Sequence, residues 1–139
     1  MRRQFSFLGI VLIFGCGQTH YDESLHFTVS GVVTCDGRCP SETSIRLLNT
    51  GLDQRRAVEK APEIANTKLG AEEKFLLIAS YGFGYDGPPA INSRDRYVTL
   101  EVDVPRCAKS TTILRLSEFR QDKHGFIRDL GKVGIVCSK

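Results

Sequence analysis

The sequence predicts an all-β protein, a small antiparallel β-sandwich of six or seven strands that follows an N-terminal signal peptide. From residue 26 onwards, short segments with apolar residues at every second position recur along the chain, and this period places one face of a strand against a core. Stretches rich in Gly, Pro, Asn and Asp separate these segments, as turns separate the strands of a sandwich. No long amphipathic helix is predicted.

The first half of the sandwich is predicted to contain two clear strands. HFTVSGVVTC (26–35) alternates apolar and polar residues, and SIRLLNT (44–50) follows after a turn that contains Asp-Gly and Pro. The pattern is weak over 51–73, where residues 52–60 suit either a polar edge strand or about one and a half helical turns. We favour an edge strand followed by a loop, since Pro62 interrupts the segment.

The second half is predicted to contain a central strand at KFLLIAS (74–80), because this apolar run is nearly continuous. RYVTLEVDVP (96–105) has the clearest period of two, with four apolar residues on one face. The last strands are expected at 111–119 and 132–137, joined as a hairpin through QDKHGFIRDLG.

The N-terminus has the layout of a secretory signal peptide. Two arginines precede an apolar stretch over residues 5–14, which is followed by Gly15 and Cys16. The apolar stretch is shorter than the roughly 20 residues that a membrane-spanning helix needs. We therefore expect residues 1–15 to be removed. An anchor helix retained in the mature chain is the alternative, which this length disfavours.

Cys16 is predicted to carry lipid. Residues 13–16 (IFGC) resemble the lipobox of bacterial lipoproteins, whose cysteine is linked to diacylglycerol and becomes the new N-terminus. The five cysteines support this independently, because lipid on Cys16 leaves an even set of four. The resemblance implies a lipid-anchored protein of the bacterial cell envelope. Gly17 stands where a retention signal has Asp, which implies the periplasmic face or the surface of the outer membrane. Residues 16–25 form the predicted tether and 26–139 the sandwich.

The other four cysteines are predicted to form two disulfides. If the last two strands form a hairpin, Cys137 lies opposite a position next to Cys107. This favours a Cys107–Cys137 bond and leaves Cys35 and Cys39 to pair by elimination, while four cysteines formally allow three pairings. A redox or metal site at CDGRC is the alternative, but it lacks the two-residue spacing of such sites, so no metal is expected.

An aromatic segment is the candidate binding site. In YGFGYDGPP (81–89), three rings alternate with glycines and share one face of an extended chain. The candidate binding residues are Tyr81, Phe83, Tyr85, Asp86, Pro88 and Pro89. Displayed rings would form a platform for a glycan, a peptide or a protein, whereas buried rings would cover one end of the core, as is commoner for aromatic residues. A calcium loop is not expected here, because Asp86 alone matches an oxygen ligand of the EF-hand pattern.

Charge and motifs argue against two further functions. The 19 Lys and Arg residues fall to 17 without Arg2 and Arg3, against 16 acidic residues, so the basic surface of a nucleic-acid-binding protein is missing. No nucleophile, metal or phosphate-binding motif is present, and the acidic residues near His124 suit a hairpin loop. We expect no catalytic residues, no enzymatic role and no cofactor.

Three segments carry a family resemblance: FTVSGVVTCDG (27–37), the FLL run at 75–77 and RDLGKVGIV (128–136). They resemble the prealbumin-like sandwiches of carboxypeptidase regulatory-like and transthyretin-like domains. The resemblance covers most of residues 26–137 and implies a binding or packing module. We therefore expect a membrane-anchored envelope lipoprotein that acts as a non-catalytic adaptor or structural module, with an envelope protein as its partner. The alternative is a glycan- or peptide-binding module that uses residues 81–89.

Overall fold

The computed structural model describes residues 20–52, 55–86 and 96–137, with side chains for 24–52, 55–82 and 96–137. These ranges contain eight strands: β1 (His20–Thr34), β2 (Ser44–Gly51), β3 (Glu63–Lys68), β4 (Lys74–Asp86), β5 (Tyr97–Asp103), β6 (Ser110–Arg115), β7 (Arg120–Asp122) and β8 (Gly125–Gly134). Short 3₁₀ turns lie at Val58–Lys60, Ala71–Glu73 and Leu116–Glu118. The strands form two four-stranded sheets, so the predicted all-β sandwich is confirmed.

The first sheet has the strand order β4-β1-β8-β7. β1 is antiparallel to β4, with His20 opposite Asp86 at one end and Val32 opposite Lys74 at the other. On its other side β1 runs parallel to β8. Because these two strands come from opposite ends of the chain, no tight turn has to connect them, which removes the usual restriction on parallel neighbours.

The second sheet has the order β3-β2-β5-β6, and all its neighbouring strands are antiparallel. β2 and β5 are its central strands, with Leu47 opposite Leu100. The apolar face predicted for residues 96–105 is confirmed, because all four of its side chains are at most 1% exposed: Val98, Leu100, Val102 and Val104.

The core lies between the two sheets. The first sheet contributes alternate residues of β1 and β4, including Phe27, Val29 and Leu77, each at most 1% exposed. Phe27 also packs against Phe119 and Phe126 with ring centroids 6.1 and 5.8 Å away. Burial of these apolar side chains from both sheets is the main force that holds the sandwich together.

Several strands differ from the sequence prediction. Residues 74–80 were expected in a central strand, but β4 is an edge strand of the first sheet and pairs with β1. The apolar run is explained by exposure: Leu76 and Ile78 point away from the core and are 54% and 72% exposed. The predicted tether is shorter than expected, because β1 begins at His20 and its first residues pair with β4.

The C-terminal hairpin is also much smaller than predicted. β6 pairs with β5 in the second sheet, and the chain then crosses to the first sheet through the Leu116–Glu118 turn. The three residues of β7 pair with the start of β8. In the weakly patterned region an edge strand does occur, but it follows Pro62 as β3, and a 3₁₀ turn occupies Val58–Lys60.

Candidate functional site

The four cysteines of the sandwich form the two predicted disulfides. Cys35 and Cys39 pair across four positions of sequence with Cα atoms 5.3 Å apart. Cys107 and Cys137 pair across 30 positions with Cα atoms 4.8 Å apart. Both pairings are confirmed, but the predicted reason for the second was wrong. Cys107 follows β5 of the second sheet and Cys137 follows β8 of the first, so this bond joins the ends of two sheets and not two strands of one hairpin.

These pairings leave one cysteine over. The chain has five cysteines, and four of them are bonded to one another. Cys16, the predicted lipidation site, lies outside the described residues. The disulfide framework therefore accounts for every cysteine of the sandwich, and no other cysteine of the sequence is left to form a disulfide with Cys16.

Tyr81 is the candidate binding residue whose side chain the structure describes. It continues the face of β4 that carries the buried Leu77 and Ala79, and its half-buried ring packs against the core. Its hydroxyl oxygen accepts a hydrogen bond from Nδ2 of Asn49 in the opposite sheet at 2.8 Å. This ring therefore bridges the two sheets, as the core interpretation of the aromatic segment requires.

The other candidate binding residues are described only in part. The backbones of Phe83 and Tyr85 belong to β4 and lie opposite Glu23 and Tyr21 of β1. Asp86 is the last residue of β4. The predicted sites at Pro88 and Pro89 lie outside the described residues. Binding of a glycan or a peptide at this segment stays a prediction.

Asn49 is a residue that the sequence reasoning missed. It is 0% exposed; its Oδ1 accepts the N–H of Leu52 at 3.0 Å and its own N–H donates to the carbonyl of Pro62 at 2.9 Å. With the bond to Tyr81, it joins the end of β2 to the chain before β3 and to the middle of β4. The signal in the sequence was a lone Asn at the end of an apolar strand, which ordinarily marks a turn.

A charged network lies on the outer face of the second sheet. Arg46 of β2 lies opposite Glu101 of β5 and donates to its Oε1 from Nε at 3.0 Å and from the neighbouring NH2 group. The third nitrogen of the Arg46 guanidinium lies 3.5 Å from Glu63 of β3, and Nζ of Lys109 lies 3.7 Å from Glu101. The hydrogen bond to Glu101 raises the pKa of Arg46 above its ordinary value, while burial acts in the opposite direction. Glu101 is only 4% exposed although its side chain points away from the core. The surrounding cationic side chains cover its carboxylate and supply the partners that a buried charge needs.

The outer face of the first sheet exposes large apolar side chains. Leu76 and Ile78 lie side by side on β4 and are both more than half exposed. Register places Thr28 of β1 beside Ile78, and Ile127 of β8 beside Thr28. Neighbouring exposed apolar side chains mark interaction sites more often than single exposed apolar residues do.

A cleft of about 660 Å³ lies beside the Cys35–Cys39 bond and is lined by Arg38, Cys39, Pro40, Ser41, Leu69, Gly70, Ala71, Glu72 and Glu73. The carboxylate of Glu73 accepts the N–H of Cys39 at 2.7 Å, and Glu72 pairs with Lys74. Both acidic side chains of the cleft are therefore occupied by groups of the chain itself. They tie the disulfide loop to the turn before β4, which is a structural role.

The described ranges contain neither a helix suited to a bilayer nor a group of metal-binding side chains. No helix there is both long and apolar enough to cross a bilayer. No group of three or more His, Cys, Asp or Glu side chains in these ranges is arranged to hold a metal ion.

Comparison with known proteins gives a single kind of likeness. No protein-family model and no curated protein matches the chain. Among solved structures, the chain is similar to the dioxygenase domain of a dioxygenase carbohydrate-binding protein fusion from the cellulolytic bacterium Streptomyces sp. SirexAA-E. The identity is 16%, the TM-score is 0.41, and the match covers 82% of this chain and 80% of that one.

The prediction that the chain has no enzymatic role is not upheld, and the similar solved chain is itself a dioxygenase domain. The prediction rested on missing motifs, and catalytic groups that come from separate strands leave no motif in a sequence. A likeness at this identity and TM-score assigns no activity to the chain.

Proposed function

We propose that this protein is a lipoprotein of the bacterial cell envelope, held at the membrane by lipid on Cys16, and that its sandwich acts as an adaptor or structural module there. One observation carries the proposal. The two disulfides pair Cys35 with Cys39 and Cys107 with Cys137, so the single cysteine left over is the one that ends the signal-like stretch. Disulfides also suit an exported protein, because thiols stay reduced in the cytosol.

The sequence around Cys16 supports the same proposal. Residues 13–16 resemble a lipobox, and Gly17 implies the outer membrane, on its periplasmic face or its surface. Several acyl chains hold a protein at a bilayer almost permanently, since each buried methylene contributes about 0.8 kcal/mol. Nucleic acid has no place in this proposal, and the mature protein is expected to contact the membrane and an envelope protein.

The start of β1 limits how far the sandwich can move from the membrane. β1 begins at His20, four residues after Cys16. Four residues reach at most about 14 Å when extended. The sandwich would therefore stay against the bilayer, which suits a module that contacts membrane components and not one that reaches across the periplasm.

We further propose that the sandwich is of the prealbumin-like type. The support is the resemblance of residues 27–37, 75–77 and 128–136 to carboxypeptidase regulatory-like and transthyretin-like domains. Two four-stranded sheets around one core agree with such a sandwich. Fold alone does not determine function, so the adaptor role depends on the membrane anchor and on the surface beside it.

Affinity capture from cross-linked cells tests the adaptor role. The intact protein and Cys16→Ser are recovered under identical detergent conditions, after each has been located in the membrane or the soluble fraction. We expect the intact protein in the membrane fraction with a stoichiometric envelope protein, and Cys16→Ser in the soluble fraction without it. Recovery of no envelope protein with the intact form, or of the same one with both forms, would contradict a membrane-dependent adaptor.

A further inference from the structure

The outer face of the first sheet carries one row of side chains that crosses all four strands. Ile78 of β4 lies opposite Thr28 of β1, Thr28 is paired with Ile127 of β8, and Ile127 is paired with Arg120 of β7. Paired residues of neighbouring strands point to the same face. Since Ile78 is 72% exposed between two buried neighbours, the whole row lies on the outer face.

The adjoining rows extend this apolar surface and add charge at its margin. Leu76, 54% exposed, lies opposite Ser30 in the next row, and Ser30 is paired with Asp129. In the row after that, Val32 lies between Lys74 and Lys132. The carboxylate of Asp129 accepts the N–H of Gly131 at 2.9 Å. The face therefore has an apolar centre with cationic side chains at one end and on the far strand.

The chain that precedes the sandwich ends beside this sheet. β1, which begins at His20, is an inner strand of the first sheet. Ile78 lies beside Thr28, eight residues further along β1, which corresponds to about 26 Å. A lipid on Cys16 and the side chain of Ile78 can thus both contact one bilayer if β1 lies along its surface. The outer face of the second sheet then points away from the membrane, since the core separates the two sheets.

We propose that the outer face of the first sheet is the surface with which this protein rests on the phospholipid bilayer. Leu76 and Ile78 enter the boundary between headgroups and acyl chains, where apolar side chains of peripheral proteins insert about 5–10 Å. Lys132 and Arg120 contact anionic headgroups at its margin. The inference rests on the lipid anchor proposed for Cys16, and it adds an orientation to that anchor.

A single tryptophan reports this orientation, because the chain contains none. Ile78→Trp places the reporter on the first sheet, and Ile113→Trp is the matched control: Ile113 is 61% exposed on β6 of the second sheet. Each full-length variant is expressed in a bacterial host, purified in detergent and reconstituted into vesicles of phosphatidylethanolamine and phosphatidylglycerol with brominated acyl chains. Fluorescence is compared with that in vesicles without bromine.

We expect the Ile78→Trp emission to shift to the blue on reconstitution and to be quenched by the brominated chains, while that of Ile113→Trp is unchanged. Equal quenching of both, or of neither, would overturn the orientation. A blue shift of Ile78→Trp that depends on protein concentration in detergent, and not on vesicles, would assign the face to a second copy of the chain and also overturn it.

A separate measurement tests whether Cys16 carries lipid. The mass of the N-terminal peptide shows whether Cys16 carries lipid before any fluorescence is measured. A chain without lipid on Cys16 would overturn the anchor and this inference together. A lipidated chain whose Ile78→Trp is not quenched would overturn the inference alone.

Discussion

The two outer faces of the sandwich differ in how their side chains are satisfied. On the second sheet, Arg46 and Lys109 surround the carboxylate of Glu101, so the chain supplies partners for its own buried charge. On the first sheet, Leu76 and Ile78 are more than half exposed. The comparison indicates that the second face satisfies its own buried charge and exposes a single large apolar side chain in the described residues, Ile113, whereas the first exposes two neighbouring ones that another surface can bury.

The largest effect is expected from separating the two sheets at their ends. Replacing Cys107 and Cys137 by Ser opens a loop of 30 residues and should lower the free energy of unfolding by about 4 kcal/mol in the chain-entropy model. Urea unfolding measures this. The matched control is the double Ser variant of Cys35 and Cys39, which opens a much shorter loop and should cost about 2 kcal/mol. A larger loss in the control than in the long-range variant would contradict the role given to the cross-sheet bond.

The charged face is tested by Arg46→Met, which keeps most of the aliphatic stem and removes the guanidinium. Glu101, 4% exposed, then loses its closest cationic partner, and we expect a loss of about 2 kcal/mol in the free energy of unfolding at neutral pH. Lys109→Met is the control: its Nζ is 3.7 Å from Glu101 and the side chain is 54% exposed, so the loss should be about 0.5 kcal/mol. Equal losses would show that Arg46 has no special position in the network.

The pH dependence of the same difference has a definite sign. The folded-state pKa of Arg46 is raised above its ordinary value by the hydrogen bond to Glu101. Its contribution is therefore fully present below the ordinary arginine pKa and is lost only as pH rises through the higher folded value. We expect the stability difference between the native protein and Arg46→Met to stay constant from neutral to mildly alkaline pH. A decline over that range would contradict the assignment.

The sequence predicted the fold class and the residues of both disulfides, because alternating burial and cysteine parity are local or numerical signals. It did not predict the pairing of strands. The apolar run at residues 74–80 predicts a central strand, because a strand with apolar residues on both faces is usually buried on both. The sequence does not show that one of these apolar faces is exposed to solvent. The parallel pairing of β1 with β8 involves residues about a hundred positions apart, for which one sequence has no signal.

The candidate site was predicted less well than the fold. The rings of the segment at 81–89 were recognised, but the partner of Tyr81 is Asn49, 32 positions earlier in the chain. The outer apolar face also depends on which strand lies at the edge. Both features arise from the tertiary arrangement. The local sequence shows the residues of one strand but not the residues of the other strands that lie beside them.

A smaller effect is expected from Tyr81→Phe, which tests whether the ring of Tyr81 is part of the core. Removal of the hydroxyl takes away the acceptor for Nδ2 of Asn49 and should cost about 1 kcal/mol. A double-mutant cycle with Asn49→Ala isolates this bond: Tyr81→Phe should cost clearly less in that background than in the native protein. An unchanged cost in both backgrounds would show that the hydroxyl bond does not stabilise the fold.

The smallest effect on stability is expected on the apolar outer face. Replacing Leu76 and Ile78 together by Ser should change the free energy of unfolding by no more than about 0.5 kcal/mol, because both side chains are already exposed. Leu77→Ser is the control on the same strand: this side chain is 1% exposed, and burying a hydroxyl in its place should cost about 3 kcal/mol or more. A large loss in the double variant would mean that the face is part of the fold and not a surface for another partner.

The mass of the N-terminal tryptic peptide, residues 16–38, tests the central claim most directly. After reduction and alkylation of protein taken from the membrane fraction, the account predicts a peptide that starts at Cys16, carries a diacylglyceryl group and an added acyl chain, and is alkylated at Cys35 but not at Cys16. A peptide with an alkylated, lipid-free Cys16, or a chain that still contains residues 1–15, would contradict it.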